Sequence, residues 1–315
     1  MTSDTPGRAD RFAVWALAAW IATLLALLFA QVRWPEPFLN DSVLHYGMLR
    51  AMVTAPERGQ SLLDPWVSTW TMGFPIFHYY QNLPALLTAG LWKASLGALP
   101  LVQAFQVVSW LAVATLPWPV YLGARRMGFG KLAAAAAGIL VLLTRTDYLH
   151  GLDLESYTWQ GLGQFAQAVG GWIFPLAMAA AFRWLREGRG LAGAGWLMTA
   201  CFLGHLALGY MAFVAAGLLA VLTPKQTVRR LGRLAVLTGV FAVAASYLIV
   251  PILRDYDYYN LSTLVPSWKY DSFGAGTVLQ QLVRGELFDF GRPPVLTVLV
   301  VIGFLWAAVR TGLHL

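Results

Sequence analysis

The sequence predicts an all-α polytopic membrane protein of about eight transmembrane helices, a single domain over 1–315 with a long first extracytoplasmic loop bearing juxtamembrane helices. Three observations predict it. The chain is 58% hydrophobic and only 12% charged, whereas soluble domains carry about 25% charged residues. Apolar runs near the roughly 20 residues needed to cross a bilayer recur at Phe12–Gln31, Leu101–Gly123, Leu234–Val250 and Pro294–Val309. The basic residues behind the net charge of +7 sit in short clusters between these runs, as topology signals do. They form no continuous stripe, which argues against a nucleic-acid partner. The single cysteine, Cys201, excludes an intramolecular disulfide.

The elements follow in order. Arg8 and Arg11 precede the first apolar run. That run exceeds the roughly 7–15 residues of a signal-peptide core, so it is read as a retained span over 12–32. The clusters Arg125/Arg126/Lys131, Arg183/Arg186/Arg189 and Lys225/Arg229/Arg230/Arg233 join Arg8/Arg11 on the cytoplasmic side. Two consequences follow. Leu83–Leu99, which carries Lys93, becomes a re-entrant or interfacial helix. Leu191–Leu222 becomes a hairpin of two short helices turning near His205–Tyr210, with Gly204 and Gly209 permitting the turn. The spans are then 12–32, 101–123, 132–146, 168–185, 190–204, 207–222, 234–252 and 294–311, with both termini inside. The outer segments are 33–100, 147–167 and 253–293.

Carboxylates contribute little to topology, so their placement is independent of the basic clusters. Asp4, Asp10 and Glu187 fall inside, and the other twelve of fifteen fall outside or at the outer membrane edge. Either the outer loops are simply long and polar, or the outer face holds a site that needs carboxylates.

The first outer loop carries the most specific pattern. It reads Leu39-Asn40-Asp41-Ser42-Val43-Leu44-His45-Tyr46, then Asp64-Pro65-Trp66, then Gly73-Phe74-Pro75-Ile76-Phe77-His78-Tyr79-Tyr80-Gln81-Asn82-Leu83-Pro84. Asn40 or Asp41 is suited to cap a short amphipathic helix reaching about Val53. This order resembles the membrane glycosyltransferases of the GT-C superfamily, in particular the branch labelled 6-pyruvoyl-tetrahydropterin synthase-related membrane domain, a label that implies no pterin chemistry. The resemblance is strongest over residues 35–100. It continues at Pro175-Leu176, Arg183-Trp184-Leu185-Arg186 and Leu203-Gly204-His205. Gln81-Asn82 departs from the two prolines of many relatives. Relatives also continue with further spans and a soluble C-terminal part beyond the eighth span.

The resemblance implies a polyprenyl-phosphate sugar donor and a glycan, lipid or protein acceptor. It implies transfer with inversion on the extracytoplasmic face of the inner or plasma membrane. It places Asp41 as the catalytic base or, in some branches, a metal ligand, and a second acidic residue at Asp147 or Asp153. The chemistry asks for a carboxylate to accept the acceptor's proton, donors or cations for the leaving phosphate, and a groove for the lipid chain. His45 lies one helical turn after Asp41 and shares its face. Arg145, His205, Arg254 and Lys269 are the candidate phosphate-binding residues. His205 stands out as an ionisable residue in an apolar hairpin, though such a histidine also serves as a packing partner. His45, Trp66, His78, Tyr79, Tyr80 and Glu155 are candidates for the sugar or acceptor. Asp153 and Glu155 have the spacing of a D-x-E pair, and with Asp41 are the candidates should a divalent cation, Mg²⁺ or Mn²⁺, be used. The rival readings are a lipid-linked sugar flippase and a non-catalytic membrane paralogue.

Overall fold

The computed structural model describes residues 7–33, 35, 40–70, 72–145, 153–154, 165–222, 224–258 and 273–312. The chain is mostly helical, with thirteen α-helices among the described residues. Among the described residues, two helical segments are long and apolar enough to cross a membrane: Arg8–Arg33, which includes α1 (Arg8–Leu28), and α7 (Phe165–Glu187). The number rises to four if two bent helix pairs each count as one span.

The first bent pair is α4 (Leu101–Ala114) and α5 (Pro117–Arg126), angled by 46°. Pro117 supplies the reason, since it lacks an N–H and its ring opposes the carbonyl four residues earlier. The second pair is α10 (Thr227–Ala244) and α11 (Ser246–Arg254), angled by 81°. Here the sequence reading runs one span over 234–252, whereas the structure breaks the helix at Ala245 and turns α11 onto the first loop. Tyr247 makes one tie, donating from its hydroxyl to Asn82 Oδ1 at 2.9 Å. Such a long-range bond leaves no periodic trace in sequence. The remaining predicted spans fall on α6 (Lys131–Leu140), α8 (Leu191–Gly204), α9 (Leu206–Val221) and α13 (Val295–Gly312).

Two compact units are distinguished. Unit 1 comprises residues 1–141 and 163–256, and unit 2 comprises 142–162 and 257–315. The core of unit 1 packs α7, α8, α9 and α10 through small side chains, including Ala177, Ala181, Ala194, Ala212 and Ala216. Small residues let helix backbones approach closely, as in membrane helix pairs. Gly123 shows the requirement: a Cβ there would lie 2.6 Å from the Pro175 carbonyl oxygen.

Helix α10 orients the hairpin. Arg233 Nη1 donates to the Leu185 carbonyl at 2.9 Å, and Trp184 Nε1 donates to the Arg233 carbonyl at 2.8 Å. Arg230 Nη1 donates to the Leu219 carbonyl at 3.2 Å. The start of α8 and the end of α9 therefore share one end of α10, and α8–α9 is a hairpin with His205 at its tip. These bonds also bring the basic clusters 183–189 and 225–233 to the same end. His205 packs against Gly170, where a Cβ would lie 2.7 Å from the His205 Cβ. Gly170 is fifteen residues from Leu185 along α7, roughly 22 Å at 1.5 Å per residue, so the tip lies at the opposite end.

The first loop holds α2 (Asn40–Thr54), α3 (Leu83–Ala94) and a two-stranded antiparallel ribbon, β1 (Trp66–Val67) and β2 (Phe74–Pro75). The α3 segment is the one the sequence reads as re-entrant or interfacial. Gly73 makes the ribbon possible. It adopts φ +113°, and a Cβ there would lie 2.2 Å from the Trp66 ring.

Candidate functional site

Helix α2 presents Asp41 in its first turn and His45 one turn later. Asp41 is exposed and His45 is buried. The buried residues Met48, Leu49 and Met52 anchor the helix and join Phe77, Phe105 and Phe165 in one apolar cluster. The His45 ring lies 5.9 Å from the Tyr80 ring and 5.7 Å from the Phe165 ring. Burial, and then the charge of His205, push His45 down to about 4, so its imidazole is neutral at physiological pH. Burial, and then the negative charge of Asp41, push the Tyr80 phenol up. His45 and Tyr80 are thus in ring contact, His45 feeling the charge of His205 and Tyr80 that of Asp41.

His205 has a second role. It caps α9, its Nδ1 accepting the Leu208 backbone N–H at 3.3 Å. With Nδ1 an acceptor, the neutral ring carries its proton on Nε2. The packing role and a donor role are compatible, because they use different nitrogens.

Beside this group lies a polar network. His78 Nδ1 is 3.1 Å from Asp64 Oδ2, and its Nε2 is 3.3 Å from Arg254 Nη2. The ring thus bridges Asp64 to the Arg254–Asp255 pair, its Nε2 also lying 3.5 Å from Asp255 Oδ2. Arg254 forks onto Asp255 at 2.7 and 2.9 Å, and the Tyr79 hydroxyl donates to Asp255 at 2.8 Å. Arg254 therefore already has a carboxylate partner, and any phosphate would compete with Asp255 for it.

Hydrogen bonds from Arg254, then from Tyr79, hold the Asp255 carboxyl well below the usual carboxylate range. A depressed folded value means that this stabilisation is complete above the unfolded value of about 3.9 and fades as pH falls below it. The thermal midpoint of Asp255→Asn is accordingly expected to lie below wild type above about pH 5. The gap should narrow steadily as the pH falls below about 4, measured by thermal unfolding across that range.

An apolar groove opens alongside. It is lined by Leu83 and Leu87 of α3, Val108 and Ala112 of α4, and Val169 and Ile173 of α7, with a volume of about 550 Å³. Leu83 follows Asn82, which is fully buried and whose Nδ2 has no hydrogen-bond partner among the described residues. Val169 adjoins Gly170, on which His205 rests. The groove thus begins at residues neighbouring the polar group.

Unit 2 has its own polar pocket, of about 130 Å³, lined in part by Thr144, Arg145, Asp153 and Arg292. Asp153 is 1% exposed. Arg145 bridges to Asp289 through its backbone, with Arg145 N–H donating to the Phe288 carbonyl at 2.9 Å. Burial pushes the Asp289 carboxyl up, but hydrogen bonds from Thr297 and Arg292 outweigh it and hold the group below its usual range.

Of the sequence-predicted residues, Asp41, His45, Tyr80 and His205 come together. His78, Tyr79 and Arg254 share the adjoining network. Trp66, 49% exposed, supports Gly73 in the ribbon. Arg145 and Asp153 meet in unit 2. Asp147, Glu155 and Lys269 lie outside the described residues. Among the described residues, no three His, Cys, Asp or Glu side chains are placed to share a metal ion. Asp64, Asn82, Asp255, Asp289 and Arg292 escaped the sequence reading of the site. Asp64 and Asn82 stand inside the first-loop pattern, and the adjacency of Arg254 to Asp255 and the three-residue spacing of Asp289 and Arg292 are the sequence traces of the others. The chain matches no protein-family model, no curated protein and no solved structure.

Proposed function

We propose that this protein is an integral membrane glycosyltransferase of the GT-C type. It moves a sugar from a polyprenyl-phosphate donor to a hydroxyl of a glycan, lipid or protein acceptor. The reading places about eight spans in the inner or plasma membrane, with both termini in the cytoplasm and the site on the extracytoplasmic face. One observation carries it: His45, one turn after Asp41, packs against Tyr80 and Phe165 at the end of α7 where His205 rests on Gly170, away from two basic clusters and next to an apolar groove.

The Asp41 carboxylate takes the proton of the acceptor hydroxyl as its oxygen bonds to the anomeric carbon. The bond from that carbon to the phosphate oxygen breaks, and polyprenyl phosphate leaves with the electron pair. Attack opposite the leaving group inverts the centre. His205 Nε2–H donates to the departing phosphate oxygen. Neutral His45 and the Tyr80 hydroxyl bond sugar hydroxyls. The polyprenyl chain lies in the groove, whose volume falls within the roughly 300–1,000 Å³ of ligand pockets. Asp41 serves proton transfer rather than cation binding.

The test is transfer of radiolabelled sugar from a polyprenyl-phosphate donor by the purified protein in lipid. Movement of the donor across the bilayer without transfer would instead support a flippase. The apolar lining of the groove favours transfer, because translocation paths carry polar groups near the bilayer midplane. Ala112→Phe, which adds bulk to the groove wall, is expected to raise KM for the polyprenyl donor about tenfold. That corresponds to about 1.4 kcal/mol of lost binding. An unchanged KM would place the chain elsewhere.

A further inference from the structure

Helix α12 (Gly274–Arg284) has no buried residue. At 100° per residue, Ala275, Val278, Leu279, Leu282 and Val283 fill one arc, and Thr277, Gln280, Gln281 and Arg284 fill the opposite one. The apolar arc is uncovered: Leu279 is 61% exposed and Val283 is 87% exposed, and Phe273 before the helix is 73% exposed. A face of this kind in water needs an occupant.

The corner that follows α12 indicates which. A Cβ on Gly285 would lie 2.6 Å from the Pro294 Cβ, so the end of α12 abuts the start of α13. Asp289 N–H donates to the Gly285 carbonyl at 2.9 Å. Asp289 Oδ2 in turn accepts the Thr297 backbone N–H at 2.7 Å. These contacts hold the C-terminal end of α12 level with the first turn of α13. From there α13 exposes Val298, Leu299, Ile302, Phe304 and Leu305, a surface suited to lipid.

We propose that α12 lies in the plane of the outer membrane surface, with its apolar arc at the boundary of headgroups and acyl chains, as an anchor of unit 2. Its eleven residues cover about 16 Å. Its one basic residue, Arg284, gives little attraction to anionic lipid, so neutral lipid suffices. The inference rests on α13 crossing the membrane and not on sugar transfer.

The test uses the full-length protein with Cys201→Ala, since Cys201 is the only native cysteine. Nitroxide labels are placed singly at Leu279→Cys, Val283→Cys, Thr277→Cys and Gln280→Cys, and at Leu299→Cys in α13, after reconstitution in phosphatidylcholine vesicles. Labels at 279 and 283 should collide freely with oxygen and poorly with a water-soluble chromium complex, and those at 277 and 280 the reverse. Equal access of the chromium complex to both arcs overturns the proposal. So does shielding of 279 and 283 from both reagents, which would mean that protein, from a second copy or a partner, covers the arc. An oxygen-accessible label at 299 in either case keeps the membrane reading while α12 fails. Val283 is so exposed that its label displaces no packed side chain, and a label at Val278 provides a second apolar position.

Discussion

Asp41→Asn is expected to lower sugar transfer by about 10²–10⁴-fold, the range general-base removal typically costs. The replacement is nearly the same size but has no basic oxygen to take the acceptor's proton. The fold should tolerate it, because Asp41 is exposed while the buried face of α2 is formed by Met48, Leu49 and Met52. Losing one negative charge from the first turn of a helix costs roughly 0.3–1 kcal/mol. Thermal unfolding should therefore shift by little while activity collapses. Donor binding should persist, because the groove and His205 are untouched, and equilibrium binding of a polyprenyl phosphate checks this. Full activity in Asp41→Asn would remove the residue from the mechanism. Equal loss of binding and activity would make it a binding group instead.

The second large effect is on stability. Asp289→Ala is expected to destabilise the corner of unit 2 by about 2–4 kcal/mol, because three donors lose a buried acceptor while Arg292, 31% exposed, keeps part of its hydration. Asp289 is 2% exposed. Its carboxylate accepts Arg292 Nε at 2.9 Å, the Thr297 hydroxyl at 2.9 Å and the Thr297 N–H. Alanine leaves all three donors without that partner. Arg292 would keep its bonds to the Leu143 and Phe288 carbonyls but lose its counter-charge. Hydrogen exchange over residues 285–297 reads the effect directly, with amide exchange rising by about 30–1,000-fold if opening of this corner governs it. The double variant Asp289→Leu/Arg292→Leu should lose less than Asp289→Ala, because it removes both charges together. Unchanged exchange in Asp289→Ala would mean that the backbone alone holds the corner.

The helical character was legible because apolar runs announce themselves by length and composition, and among the described residues the predicted spans fall largely on helix, two of them, or four with the bent pairs, long and apolar enough to cross a membrane. The hairpin at His205 was legible for a different reason: the basic clusters on either side had to share one face, and Arg230 and Arg233 bond in that arrangement. Asp41 and His45 were readable as neighbours because helical spacing alone places them on one face. The bend of α11 was not readable. Nothing in the run 234–252 marks Ala245 as a break, and Tyr247 finds its partner Asn82 far away in the chain. The Asp64–His78–Asp255 network was hidden in the same way, since its members come from segments with no local relation.

By itself, then, the sequence determined the helical segments, the end of the bundle to which the basic clusters go, and the first-loop residues that resemble a glycosyltransferase site. Those properties follow from local periodicity, from hydropathy and from charge, all of which act over a few residues. Only the tertiary structure decided that His45 packs on Tyr80, that His205 rests on Gly170, that Arg254 and Tyr79 both hold Asp255, and that Asp289 locks α12 to α13. Most of these join groups distant in sequence, and close packing at Gly170 for His205 and at Gly285 for the start of α13 leaves room for hydrogen and not for a methyl group.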